Sequence, residues 1–384
     1  MKILQLTHNY PSEIDRTEGI FLHRINRLLA DKIDITVVVL RPKFGIPTGG
    51  RNYTLDGVNI LEFNYFRPRG RILNSLDGLF MLSAIRYLNK RIENYDLIHS
   101  HWQSAAGVIG TYLSKKHNKP HIVSVRGARI FDKSRNSIYG LISSFVFGKA
   151  NLIHTHGRSI QAELSRKYLI PAEKITWIPN IIFNKTQLDS LLQISLQKKI
   201  KTTGYIFLFI GLDGKNKGLL DAVQSFIGAS TKNHQLIIVT DTSSDYYNRQ
   251  VKPIISIRKN ITIMNKMPPE NVYILFSESD VFLFPSYSEG TPNVVAEAMA
   301  AGCYIISYKI PGLDDLLIHN RNGRLVEKKD KLSLTNEIDM FVSGKMNHDC
   351  EKYREYNHRF MVENYDSDKI SGDYINMYKG CIRE

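Results

Sequence analysis

At 384 residues with a formal net charge of +14, the chain has length for two ordinary domains and a substantial core. Its three cysteines, Cys303, Cys350 and Cys381, stand too far apart for a disulfide framework or a metal-ligand cluster. No apolar run approaches the ~18 residues of a spanning helix, and the apolar run at Met1–Thr7 is too short for a signal peptide, so a cytoplasmic protein is expected.

The charge is uneven. Residues 1–180 hold 26 Lys and Arg against 13 Asp and Glu, while residues 181–384 hold 25 against 24. The first half therefore suits an acidic partner. Nucleic acid is not expected, because no recognised binding motif accompanies the charge.

Short β-rich runs alternate with helical patterns along most of the chain, which predicts doubly wound parallel sheets. In the first half strands are expected at 2–6, 35–40, 59–63, 97–100, 121–125, 152–155 and 175–178. In the second half they are expected at 206–210, 235–239, 261–264, 281–285, 304–307 and 323–326. Two such series imply two Rossmann-like domains facing each other across a cleft, divided as 1–184 and 185–359, with 360–384 a closing helix. The polar stretch 184–203, with Lys198-Lys199-Ile200-Lys201, suits the boundary.

In chain order, Gly19 precedes the first expected helix, where a glycine lets a backbone approach closely. The segment Phe63-Asn64-Tyr65-Phe66-Arg67-Pro68-Arg69-Gly70-Arg71 sets aromatics beside cations. The apolar run Leu79–Ile85 follows it and ends in Arg86, Lys90 and Arg91. This pattern fits an anionic membrane interface or a pyrophosphate-bearing acceptor, and equally a solvated face. His99-Ser100-His101-Trp102, Ser124-Val125-Arg126-Gly127 and His154-Thr155-His156 each end a strand. The two histidine pairs lack helical spacing or a partnering carboxylate motif, so zinc is not expected. Phe209-Ile210-Gly211-Leu212-Asp213-Gly214-Lys215-Asn216-Lys217-Gly218 follows a strand with a glycine loop carrying Lys215 and Lys217.

The densest signal lies between Phe284 and Gly302. Thr291 suits a helix N-cap, Pro292 the first turn and Gly302 the end. The first amides of that helix, near Pro292, Asn293 and Val294, would face an anion bound ahead of it. Glu289 stays in the loop, and Glu297 lies about 9 Å along the axis from Thr291. A nucleoside diphosphate sugar has matching parts: a ribose diol for one carboxylate, a diphosphate for the helix start, a sugar for the other carboxylate. In the tail, Asp366-Ser367-Asp368 reads as a helix cap rather than a metal site.

The stretch from Phe284-Pro285-Ser286 through Glu297-Ala298-Met299-Ala300-Ala301-Gly302 resembles the Glu-x7-Glu signature of retaining glycosyltransferases of the GT-B fold, family 4. The similarity runs over nearly the whole chain and includes Ile178-Pro179-Asn180 before the crossing between domains. It implies an α/β, GT-B architecture and metal-independent transfer of a sugar from a UDP- or GDP-linked donor, with no further cofactor. It implies that Glu297 takes the ribose, that Lys217 and Lys215 with Ser286, Thr291, Pro292, Asn293 and Val294 face the donor, and that Glu289 orients the sugar. Gly19 falls where the family has its glycine loop, and His101 and Arg126 fall near the acceptor. The resemblance further implies a lipid-linked glycan acceptor in bacterial surface-polysaccharide assembly and a peripheral place at the inner membrane face.

Two departures stand out. Family members carry Arg after the strand glycine where this chain has Leu212, and a strand-end His where it has Arg126. Arginine cannot act as a general base but can clamp a phosphate or a sugar hydroxyl. Two alternatives stay open: a soluble sugar-phosphate acceptor held by Arg126 and Arg129, and a catalytically silent subunit supporting a partner enzyme.

Overall fold

Apolar runs that scarcely alternate become strands buried on both faces, the mark of parallel sheets covered by helices. The computed structural model describes the chain apart from residues 13–14, 17, 44–49, 67–81, 127–129, 131–133, 181–184, 198–203, 213, 290–291, 346 and 384. Met1–Ile181 with Ser367–Glu384 make one unit, and Ile182–Asp366 make a second.

The first unit contains β1 (Lys2–Thr7), β2 (Asp34–Lys43), β3 (Gly50–Leu55), β4 (Val58–Phe66), β5 (Leu97–His101), β6 (His121–Val125), β7 (Leu152–Thr155) and β8 (Ile175–Trp177). They form one sheet in the order β3-β4-β2-β1-β5-β6-β7-β8. The second unit contains β9 (Ile206–Ile210), β10 (Gln235–Val239), β11 (Ile261–Met264), β12 (Val281–Phe284), β13 (Tyr304–Tyr308) and β14 (Arg324–Val326). Their order is β11-β10-β9-β12-β13-β14. Both sheets reverse direction once, between β1 and β5 and between β9 and β12. In open α/β sheets ligands bind beyond the carboxyl ends of the strands at such a switch.

One strand departs from the expected parallel set. β3 pairs antiparallel with β4, Leu55 opposite Val58, through Asp56 at φ 46° and Gly57 at φ 83°. Two consecutive left-handed residues make the tight hairpin that Asp-Gly favours. β3 is short and largely exposed, which suits an edge strand.

The tail is two helices, Asn347–Tyr365 and Ser367–Arg383. Residues 360–365 finish the first, and the segment joined to the first unit starts at Ser367. Ile370, Tyr374, Met377, Tyr378 and Cys381 make an i, i+4, i+7 stripe buried against Ile3, Leu22 and Leu29. Lys32 Nζ donates to Ser371 Oγ at 2.7 Å. Cys303 is a buried thiol whose Sγ donates to the Phe276 carbonyl at 3.2 Å. Among the described residues no helix is long and apolar enough to cross a membrane.

Candidate functional site

In the second unit, the chain leaves β9 at Gly211 and β12 at Pro285, and the two loops press together. A side chain at Gly218, which has φ +72°, would place its Cβ 1.9 Å from the Pro285 carbonyl oxygen. A Cβ at Gly211 would lie 2.7 Å from Lys217 Cβ. Gly218 is therefore required by the contact between the loops, and Gly211 by the close approach of Lys217 on its own loop. The Asn216 carbonyl accepts from the Tyr287 amide at 3.0 Å, pinning one loop to the other.

This contact brings together residues 72 positions apart. Lys217 Nζ donates to Glu289 Oε1, and Ser286 Oγ donates to the same oxygen at 2.8 Å. The lysine side chain is 32% exposed and the glutamate 12%, so the ammonium is partly open to solvent and the carboxylate is largely covered. Lys215 is exposed on the same loop, as is Leu212. Lys328 was not anticipated here: its Nζ donates to the Tyr287 carbonyl at 3.1 Å, bringing another cation to the loop that carries Glu289.

Beneath the loop, Asp221 accepts from the Tyr287 and Tyr308 hydroxyls, each at 2.8 Å. Burial, reinforced by the Asp221 carboxylate, pushes both phenols well above the ordinary tyrosine range. They remain neutral donors and lock the segment between Ser286 and Glu289 in place. Asp221 and Tyr287 are positioning residues that sequence reading missed.

The helix that follows runs from Asn293 to Ala300, with Pro292 at its N-cap and no side-chain cap. Thr291 therefore does not occupy the cap position expected of it, and Thr291 itself lies outside the described residues. Proline fits the cap because its φ of −80° is close to what its ring imposes. Asn293 is half-buried, and its Oδ1 accepts no hydrogen bond. Glu297 is also half-buried, one turn or about 6 Å into the helix.

In the first unit, the carboxyl ends of β1, β5 and β6 gather Gly19, Trp102, His101 and Arg126. Gly19, at φ +63°, caps the helix Ile20–Ala30, and a Cβ there would lie 2.5 Å from the Asn9 carbonyl oxygen. The loop after β1 thus demands glycine by itself. Trp102 packs on His8 and Phe21, with ring centroids 4.6 and 6.3 Å apart.

Arg126 is 6% exposed. Its Nε donates to His101 Nδ1 at 3.3 Å and its Nη1 to Asn180 Oδ1 at 3.2 Å. Its guanidinium lies 4.9 Å above the Phe21 ring, while Nη2 makes no hydrogen bond. Among the described residues no carboxylate pairs with it. Burial pulls its pKa down to about 10, against a smaller upward pull from the Tyr374 hydroxyl, so it stays cationic at neutral pH.

Because Arg126 donates to His101 Nδ1, the His101 proton sits on Nε2, which donates to Gln5 Oε1 at 3.2 Å. Gln5 Nε2 donates to the Tyr378 hydroxyl at 3.3 Å, and Tyr378 donates to His99 Nδ1 at 2.9 Å. His99 Nε2 then donates to Ser124 Oγ, and Ser124 to His154 Nδ1, both at 2.7 Å. His154 Nε2 ends the chain at the Ile178 carbonyl at 3.2 Å. That last acceptor is a carbonyl, which fixes every proton upstream and keeps His99 and His154 neutral. Burial first, and the neighbouring cation second, lowers His154 to about 3, and burial drives His99, His101 and His156 well below the usual histidine value. His101 is thus held inside the unit with both nitrogens engaged, and it orients Arg126.

Among the described residues no group of three or more His, Cys, Asp or Glu side chains is placed to hold a metal ion. Gly127, Arg129, Arg67, Arg69, Arg71 and the start of the apolar run at Leu79 lie outside the described residues.

Known proteins match along most of the chain. Residues 20–182 match the family described as Glycosyltransferase Family 4, and residues 193–360 match Glycosyl transferases group 1. A capsular polysaccharide biosynthesis glycosyltransferase of Staphylococcus aureus is 26% identical over 73% of this chain and 75% of its own length. The UDP-Gal:alpha-D-GlcNAc-diphosphoundecaprenol alpha-1,3-galactosyltransferase of Escherichia coli is 24% identical over 69% of this chain and 68% of its own. The structure of Anabaena HepE in complex with UDP superposes with a TM-score of 0.75 at 16% identity, covering 99% of this chain and 100% of that one.

Proposed function

This chain belongs to the family 4 glycosyltransferases of the GT-B fold, and from that premise we propose that it moves a sugar, with retention of configuration, from a UDP- or GDP-linked donor to a lipid-linked glycan in bacterial surface-polysaccharide assembly. The observation that carries this reading is the meeting of Lys217, Ser286 and Glu289 beyond β9 and β12, ahead of the helix Asn293–Ala300. In it, the helix start and Lys217 hold the donor diphosphate, Glu297 takes the ribose hydroxyls and Glu289 orients the sugar. Asn293 Oδ1 is an acceptor that a donor hydroxyl satisfies. Lys328 joins Lys215 as a source of the second cation that Leu212 does not supply.

The demand on such a site is charge. As the bond from the anomeric carbon to the diphosphate breaks, negative charge grows on the leaving oxygen, and a fixed cation and helix amides stabilise it without a metal. The acceptor hydroxyl attacks on the face the diphosphate leaves, and its proton passes to the departing diphosphate oxygen. No histidine is needed for that step, which agrees with Arg126 standing at the strand end.

Membrane association is part of the reading, and the described surface supports it at a place the sequence pattern did not indicate. On the helix Ile138–Lys149, Ile138, Leu141 and Phe145 are 64%, 59% and 51% exposed at i, i+3, i+7. Lys149 ends that face, and Lys115 on the neighbouring helix lies close enough for the two ammonium groups to repel, which lowers the Lys115 pKa. Between Leu97 and Ala162 the sequence holds nine Lys and Arg but a single acidic residue, Asp132. An apolar stripe rimmed by cations suits an anionic bilayer interface.

The test is transfer itself. Incubated with UDP- and GDP-sugars and a polyprenyl diphosphate-linked sugar, the protein should form one product whose anomeric coupling constant matches the donor's. An inverted product sinks retention, and absence of turnover with every donor favours the silent-subunit reading.

A further inference from the structure

A buried guanidinium without a carboxylate is expensive. Taking a charge out of water costs several kcal/mol unless an opposite charge and hydrogen bonds compensate it, and here the neutral partners His101, Asn180 and the Tyr374 hydroxyl do so only in part. Arg126 is also over-determined in position. Phe21 fixes the plane of the guanidinium from one face, and His101 and Asn180 fix two of its nitrogens. The His101 tautomer that accepts from Nε is set by Gln5, which Asn26 holds at 2.8 Å. What this leaves is Nη2, whose donors have no acceptor, at the carboxyl edge of β6 one strand from the switch between β1 and β5. The arrangement holds a cation rigidly and leaves its fork incomplete.

We infer that the first unit is built to seat a substrate oxyanion, a carboxylate or a phosphate, on Nη2 of Arg126. A charged oxyanion accepts from both Nη2 hydrogens or from a pair of guanidinium nitrogens, as arginine geometry favours. A neutral sugar hydroxyl supplies no charge to offset the burial. The inference rests on the family reading only in calling the ligand a substrate, and here the acceptor. It narrows that acceptor to molecules bearing an acidic group: a uronic acid, a sugar phosphate or a diphosphate linkage.

The experiment uses the full chain, with glucuronate, glucose 6-phosphate and inorganic phosphate as charged probes and glucose as the neutral control. Binding is followed by calorimetry and thermal unfolding in wild type, Arg126→Gln, Arg126→Lys and Lys217→Ala. At least one charged probe should bind wild type about 10- to 100-fold more tightly than glucose does, the range expected of charge-assisted hydrogen bonds. That preference should vanish in Arg126→Gln, weaken in Arg126→Lys and persist in Lys217→Ala. Carboxylate and phosphate probes identify which oxyanion is preferred. Without ligand, hydrogen-exchange protection of the first unit in Arg126→Gln should be no lower than in wild type, because the change removes an uncompensated charge; a purely structural arginine would give the opposite sign. Equal binding of charged and neutral probes by wild type, or a preference lost in Lys217→Ala instead, overturns the inference. Nucleotide binding, read separately in Arg126→Gln, reports on the donor site alone.

Discussion

The carboxyl edges of the two sheets handle positive charge in opposite ways. Beyond β9 and β12, Lys217 is partly exposed and already paired with Glu289. Beyond β6, Arg126 is buried and among the described residues has only neutral partners. A partly exposed lysine already paired with a carboxylate is less expensive to hold and to exchange, since water screens its ammonium in part, so it suits a group that arrives and leaves as a diphosphate. A buried guanidinium is costly to hold and rigid, so it suits recognition. The interiors behind the two edges differ likewise. The second unit packs phenylalanines and aliphatic chains around its strands. The first threads a one-way chain of hydrogen bonds from Gln5 through Tyr378, His99, Ser124 and His154 to Ile178.

The contrast predicts where each change will be felt. The largest effect belongs to Lys217→Ala, which removes a cation from the leaving group and should lower kcat about 10²–10³-fold. Arg126→Gln should raise the acceptor KM instead. Comparable losses in the same kinetic constant would erase the distinction between the two edges.

Acid is the next lever. Burial lowers His121 and His154 to about 3 in the folded protein, whereas an unfolded chain protonates them near 6.5. Their contribution is complete above pH 6.5 and is lost as pH falls toward 3, at about 1.4 kcal/mol per pH unit for each. Going from pH 6.5 to 5.5 should therefore cost the first unit about 2 kcal/mol from this pair alone, because the unfolded histidines are already half protonated at pH 6.5. Hydrogen exchange resolved by unit is the measurement, because one melting temperature is ill-defined for two units. Equal loss of protection in both would contradict the histidine account.

Tyr378→Phe should come third. It strands His99 Nδ1 and Gln5 Nε2 without a partner and should cost about 1–3 kcal/mol. Faster exchange is expected in the helix Ser367–Arg383 and in β5 and β6, with β9 to β14 unchanged. The smallest effect on stability is expected from replacing Ile138, Leu141 and Phe145 by serine, since all three face solvent. Co-sedimentation with phosphatidylglycerol vesicles should nonetheless fall at least about fivefold. Unaltered sedimentation would remove that face from the membrane account.

Much of this was legible because its causes are local. Runs such as Ile206–Ile210 and Val281–Phe284 announce buried parallel strands, and Ser286, Glu289 and Glu297 fall within one loop-and-helix unit. The antiparallel β3 has a local trace too, since Asp56-Gly57 between Tyr53-Thr54-Leu55 and Val58 is a hairpin turn pattern. Helix capping was misplaced by one residue because Pro292 serves at the cap as readily as inside the first turn. Other features have no short-range trace. Glu289 meets Lys217 across 72 positions, Tyr287 meets Asp221 across 66, and His99 meets Tyr378 across 279. Such pairs follow from sheet order and loop packing, which spacing alone does not encode. Arg126 was visible as a departure from a pattern, but that no carboxylate among the described residues pairs with it became apparent only when the surrounding side chains were in place.

The account turns on the second unit holding a nucleoside diphosphate. The direct measurement is thermal stabilisation of that unit by UDP, GDP, ADP, CDP and dTDP, in wild type and Glu297→Ala. A ligand at 100 Kd contributes about 2.7 kcal/mol to the state that binds it. The account predicts a shift with UDP or GDP in wild type that is lost in Glu297→Ala. A shift with none of the five, or one that survives the substitution unchanged, would contradict it.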